Sequence, residues 1–272
     1  MGVAVAFIVG VAFRLELLLT DRSLWLDEAK IALNTINCGY LDLFSPLPFR
    51  DQAAPPGFLI LTKALGSVFG YGEMALRFLP FLCGIGSIPL LAAAAHRILP
   101  RLVALLPPVF LSFSTTAIYY SAEYKQYSME LLVSTLIIWS FVRLVQCEKK
   151  TEIRRLVEFT AIGAVSVWFS YSAIILLAPL ATYWVTSRFV QGAGRTLRQL
   201  LPAVASAAII CASFLFLYFV VGRGSMTSDL TDYHHYGFVP WPWREAGFLS
   251  WHRTTLKGLF SFPLGFGYPL GF

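Results

Sequence analysis

The sequence predicts an all-α polytopic membrane protein, with about seven transmembrane helices and short interfacial helices in its first external loop. Three observations predict it. Hydrophobic residues make up 57% of the chain and charged residues only 13%, against roughly 25% charged in soluble domains. Mean hydropathy is +0.67. The apolar residues also gather into runs long enough to cross a hydrocarbon layer of ~30 Å.

Those runs fall at 3–20, 77–96, 102–119, 128–146, 156–171, 173–188 and 200–221. The first has no Lys or Arg before Arg14 and no small-residue cleavage site. It reads as a retained span rather than a signal peptide, and the missing basic flank also allows an N-terminal truncation. The runs 156–171 and 173–188 meet at Ser170-Tyr171-Ser172 and read as a hairpin of two spans or one bent element. The stretch Phe58 to Phe69 is interrupted by Lys63, Gly66 and Ser67. As a helix it would reach only ~18 Å, so it is expected to lie at the interface.

Loop charge orients these spans. Arg97 and Arg101 share one loop; Arg143, Lys149, Lys150, Arg154 and Arg155 a second; Arg188, Arg195 and Arg198 a third. Cations in short loops mark the cytoplasmic side. With 58–69 not spanning, all three loops fall on that side. The outer face then receives 21–76, 119–127 and the segment from Gly222 to Phe272. The division expected is a membrane module over 1–221 followed by an external, aromatic-rich segment over 222–272.

The sequence pI of 9.2 does not imply nucleic-acid binding, because the basic residues form no single stripe. Cys38, Cys83, Cys147 and Cys211 are scattered without C-x-x-C spacing, so neither a zinc site nor a disulfide framework is indicated. His234 and His235 near Asp229 and Asp232 do not by their spacing fix a metal site. No residue is assigned to a metal. Trp241, Trp243 and Trp251 read as interfacial anchors or as stacking surfaces for sugar rings.

Chemistry is expected at two polar islands on the outer face. Asp27 and Glu28 open a stretch with apolar Ala29, Ala32, Leu33 and Ile36, the spacing of a short amphipathic helix. Acidic residues suit a helix first turn. Carboxylates beside a bilayer are also costly, and one held there is placed to act as a general base. The second island runs from Ile118 to Glu130 and includes Tyr120, Glu123, Lys125, Gln126 and Tyr127. On one continuous helix Glu123 and Lys125 would point apart. For both to face a single cavity the helix must break there, which is tolerated where backbone lines a cavity. Arg77 opens the second span, where it could snorkel to headgroups or meet a phosphate.

Four segments follow in order: Leu24-Trp25-Leu26-Asp27-Glu28-Ala29, Ala54-Pro55-Pro56-Gly57-Phe58, Gly72-Glu73-Met74-Ala75-Leu76-Arg77 and Tyr120-Ser121-Ala122-Glu123-Tyr124-Lys125-Gln126-Tyr127. Together they resemble the GT-C membrane glycosyltransferases that include protein O-mannosyltransferases and aminoarabinose transferases. The resemblance covers about residues 1–220. It implies a seven-helix module, a polyprenyl-phosphate-linked sugar as donor, and transfer on the extracytoplasmic face. It places the family's acidic pair on Asp27 and Glu28 and its second-loop charges on Glu123 and Lys125, with Tyr127 at an aromatic position. Two departures stand out. Ala54 replaces a common His, and Lys125 replaces a common Arg, keeping the charge without the bidentate fork. Relatives also continue through further helices, so the chain is expected to be a fragment or a minimal form that works with a partner.

The implied reaction is an inverting transfer to a lipid, glycan or protein acceptor, in a bacterial cytoplasmic membrane. Asp27 is the expected base, with Glu28 and Glu123 as the other catalytic carboxylates. Lys125, Arg77 and Arg22 are expected at the donor phosphate, and Gln126, Tyr127 and Tyr120 against substrate. A divalent cation stays open as a cofactor. A flippase for lipid-linked sugars would favour paired half-repeats and mid-span charges, whereas here no repeat is visible, the charges cluster at one face and the mid-span residues are mostly apolar. A non-catalytic assembly subunit is the third reading.

Overall fold

A computed structural model of the chain describes residues 2–49, 53–190, 197–222 and 248–261. Helix α1 (Gly2–Leu19) leads through a turn into α2 (Leu26–Asn37) and α3 (Pro56–Phe69). Then come α4 (Glu73–Ile98), α5 (Leu106–Phe113), α6 (Thr115–Ser121) and α7 (Tyr127–Val145). The chain continues through α8 (Glu152–Ser166), α9 (Ala173–Val190), α10 (Leu197–Leu217) and α11 (Phe248–Ser261). Among the described residues there is no strand.

Every apolar run expected to span is helical over most of its length, the run 156–171 only to Ser166, but length and composition alone carry fewer than seven crossings among the described residues. Among the described residues, three helices are long and apolar enough to cross a membrane: Glu73–Ile98, Tyr127–Val145 and Leu200–Gly222. The pair Val103–Phe113 and Thr115–Ser121 adds a fourth if counted as one span bent by 54°. Helix α8 falls short because its 15 residues reach only ~22 Å, and Glu152, Arg154, Arg155 and Glu158 occupy its first half. Ala173–Arg188 is apolar but short. The stretch 58–69 is likewise a short helix, entered through Pro56 at its first position, where a missing N–H costs nothing.

Helix α4 packs along α7, and α1 lies across α4, α5 and α6. Helix α8 bridges α7 and α10, while α3 joins α2 to α4. The shared core includes Ile31, Phe58, Leu59, Leu76 and Tyr124, so the two loop helices are packed into the bundle rather than tethered to it.

The break between α5 and α6 is held by Arg14, which is fully buried in α1. A helix end leaves its last carbonyls without intrahelical donors. Arg14 Nη1 donates to Ser112 O at 3.0 Å and Nη2 to Leu111 O at 2.9 Å. Ser114 then caps α6 by accepting from the Ala117 N–H at 3.2 Å. Gly10 makes this approach feasible: a Cβ there would stand 2.9 Å from both the Cβ and the carbonyl oxygen of Ser112. Gly86, by contrast, would meet only Leu132 Cδ1, at 3.5 Å. We therefore expect opposite outcomes from two similar substitutions. Gly86→Ala should stabilise by up to about 1 kcal/mol through helix propensity. Gly10→Ala should destabilise by about 1–3 kcal/mol through overpacking. Thermal unfolding in detergent distinguishes them.

Candidate active site

The break after α6 brings the two polar islands together. Helix α6 ends at Ser121 and α7 starts at Tyr127, so Ala122 to Gln126 are free of helical register. Glu28, fully buried, is the hub. Its Oε1 accepts from Arg77 Nε at 2.9 Å and its Oε2 from Arg77 Nη2 at 2.7 Å, a bidentate pair. Oε1 also accepts the Tyr124 N–H at 2.5 Å, across 96 residues of sequence. Oε2 takes the Trp25 N–H at 3.2 Å, closing the first turn of α2. Glu28, not Asp27, is thus the carboxylate that caps this helix.

Burial pushes the Glu28 pKa up, but the Arg77 hydrogen bond, the Tyr124 N–H and the Arg77 charge more than reverse it. The net shift is downward. Glu28 is held as a carboxylate, with its hydrogen-bonding capacity largely used.

Arg77 is nearly fully buried and is likewise engaged. Beyond Glu28 it donates to Arg22 O at 2.5 Å and Ser23 O at 3.3 Å. Arg77, expected at the donor phosphate, has its guanidinium turned to Glu28 and these two carbonyls. The guanidinium ties the turn after α1 to the start of α4, a turn in which Asp21 adopts a left-handed φ of 42°. Leu24 N–H donates to Glu73 at 3.3 Å in the same junction.

Asp27 has a different environment. Its side chain is 36% exposed and its Oδ2 lies 3.4 Å from Lys125 Nζ, whose side chain is only 7% exposed. Lys125 also sits 5.7 Å from the Trp25 ring centroid. Arg22 stacks over Tyr119 at 4.8 Å and donates to Ala122 O at 3.2 Å. One cation, Lys125, therefore faces the accessible Asp27 carboxylate, while Arg22 lies against the 119–122 segment.

Glu123 is buried, and neither carboxyl oxygen has a hydrogen-bond partner of good geometry. Burial raises its pKa, helped by the Glu28 charge. The nearby Tyr119 hydroxyl, Arg22 and Lys125 act in the opposite direction without overcoming it. An acid raised in this way favours folding most below the ordinary Glu pKa of about 4.3. That advantage is lost as pH rises through the raised folded value. Glu28 runs the other way, its contribution being present above the ordinary value and lost as pH falls through the depressed one. Glu123→Gln should therefore match the parent at acid pH, be at least as stable at neutral pH, and flatten the intervening slope. Unfolding curves across pH check this.

Of the remaining expected residues, Tyr120 and Tyr127 pack ring to ring at 4.6 Å, Tyr127 being 41% exposed. Gln126 Oε1 is buried without a partner. His234, His235, Trp241 and Trp243 lie outside the described residues, while Trp251 is on α11. Among the described residues no cluster of three or more metal-ligating side chains occurs.

Sequence reasoning missed Tyr124. It is fully buried, its hydroxyl is 2.6 Å from Thr35 Oγ1 and its ring stacks on Phe58 at 5.6 Å. It anchors the second island to α2 and α3. The available signal was its position between two charges that must face one way, which turns the intervening side chain inward.

The decisive comparison covers more than half the chain: a protein-family model, dolichyl-phosphate-mannose-protein mannosyltransferase, matches residues 53–219. The chain belongs to the dolichyl-phosphate-mannose-protein mannosyltransferase family. No curated protein and no solved structure matches it. The family is one of GT-C membrane glycosyltransferases, and its apolar helices make this member an integral membrane protein. Arg77, Glu123 and Lys125 fall within the matched mannosyltransferase segment, whereas Asp27 and Glu28 precede it and are joined to it through Arg77 and Tyr124.

Proposed function

We propose that the protein transfers a sugar from a polyprenyl phosphate to a lipid, glycan or protein acceptor on the extracytoplasmic face of a bacterial cytoplasmic membrane. The observation that carries this reading is the pairing of exposed Asp27 with buried Lys125 in a chain of this family. Asp27 is the base. It takes the proton of the acceptor hydroxyl as that oxygen bonds to C1 of the sugar. The C1–O bond to the phosphate breaks, and its electron pair leaves with the polyprenyl phosphate, inverting C1.

Lys125 and Arg22 receive the departing phosphate, where preorganised cations in a water-poor site are worth most. Lys125 exchanges a long contact to Asp27 for the phosphate, which frees the carboxylate to act. Glu28 and Arg77 hold the scaffold that aims Asp27, and Glu123 lies beside the phosphate cations. Gln126, Tyr120 and Tyr127 contact substrate. The membrane module spans residues 1–221 in seven crossings, with α2 and α3 at the outer interface and 222–272 forming an external segment.

Purified protein in vesicles, given radiolabelled polyprenyl-phosphate mannose or aminoarabinose, tests the reading. Transfer or slow hydrolysis of the sugar is expected. Movement of intact donor between leaflets without bond cleavage would replace the enzyme by a flippase.

A further inference from the structure

The end of the bundle remote from Asp27 holds a second charged site. Helices α4 and α7 carry Arg77 and Tyr127 near their starts. Their far ends meet the beginning of α8 around a cavity of about 340 Å³. That volume is at the lower end of small-molecule sites, which run roughly 300–1,000 Å³. Arg97 from α4, Arg143 from α7 and Arg155 from α8 all line it, so three guanidiniums converge from three separate elements.

Two of them are fixed in place. Glu158 accepts from Arg143 and, at 2.7 Å, from Arg155, and Arg143 lies 4.2 Å over the Trp139 ring. Gln146 ties the ends of α7 and α4 by donating to Arg97 O at 2.5 Å. Arg97 is exposed, and its side chain has no ion-pair partner among the described residues. Glu158 and the lining Glu148 leave one positive charge in excess. The adjoining Lys149, Lys150 and Arg154 add further positive potential.

We infer that this cleft binds a phosphate group, with Arg97 as the free fork and Arg143 and Arg155 as its preoriented walls. Arginine forks match phosphate oxygens bidentately. The cleft lies at the ends of two membrane-spanning helices, where basic pockets between helices take anionic lipid headgroups. A phosphodiester headgroup and free phosphate share this chemistry. The inference does not depend on the sugar-transfer reading, since it concerns the opposite ends of α4 and α7.

Cys147 lines the same cavity and provides a reporter. The full chain would be held in dodecylmaltoside micelles, which carry no phosphate, alone, with phosphatidylglycerol, or with millimolar inorganic phosphate. Alkylation of Cys147 by an uncharged maleimide would be followed by peptide mass spectrometry. Phosphatidylglycerol should slow the reaction several-fold in the parent, an effect absent in Arg97→Gln and retained in Arg97→Lys. Unchanged alkylation of the variants in dodecylmaltoside alone would establish that the cleft is intact. Protection by inorganic phosphate alone would support the site and assign free phosphate as its ligand. Equal slowing in parent and Arg97→Gln would overturn the proposal, as would no protection by either phosphate source.

Discussion

Asp27→Asn should reduce sugar transfer by about 10²–10⁴-fold, the usual contribution of a positioned general base. Membrane insertion, expression and thermal stability should be unchanged. The asymmetry comes from burial. Asp27 is partly exposed and makes one long contact to Lys125, so an amide in its place strains nothing. Transfer assays beside unfolding curves measure both halves of the expectation. A variant that keeps full activity removes Asp27 from the mechanism.

Arg77→Met should have the largest effect on stability. It leaves Glu28 buried and charged without its bidentate partner, and breaking such a pair typically costs about 3–5 kcal/mol. Adding Glu28→Leu should recover much of the loss, because a buried ion pair replaced by apolar residues is often neutral. Neither variant should transfer sugar efficiently, since the turn at Arg22 and Ser23 loses its anchor in both. The test is a double-mutant comparison by denaturation in detergent. Additive losses would show that Glu28 and Arg77 contribute independently, contrary to the observed pairing.

The helices were legible in the sequence because membrane burial writes itself as long apolar runs. Among the described residues, helix length and composition carry three or four of the seven expected crossings, and α8 is not among them because its first turns are charged. The run 102–119 looked continuous, yet it divides at Ser114 into α5 and α6. Its cue was a small capping residue, and its stabiliser, Arg14, is a hundred residues away.

The same limit applied at the candidate site. Acidic Asp27 and Glu28 were visible as a pair, but adjacent residues on a helix face differently. Only packing separates the buried scaffold carboxylate from the accessible one. The scaffold contacts of Arg77 were not legible because two of its acceptors are main-chain carbonyls, which have no sequence signature. Glu123 and Lys125 were expected to require a broken helix, and the break lies where those charges demanded it.

The hydrogen bond from the Tyr124 N–H to Glu28 also has a bearing on biosynthesis. Glu28 emerges from the ribosome 96 residues before Tyr124, and Arg77 arrives between them. While the chain is being made, the segment that carries α2 can acquire its arginine anchor early. It cannot lock until the turn before α7 has followed. A half-translated chain therefore lacks the finished arrangement: Lys125, the cation that faces Asp27, arrives one residue after the peptide group that completes the lock.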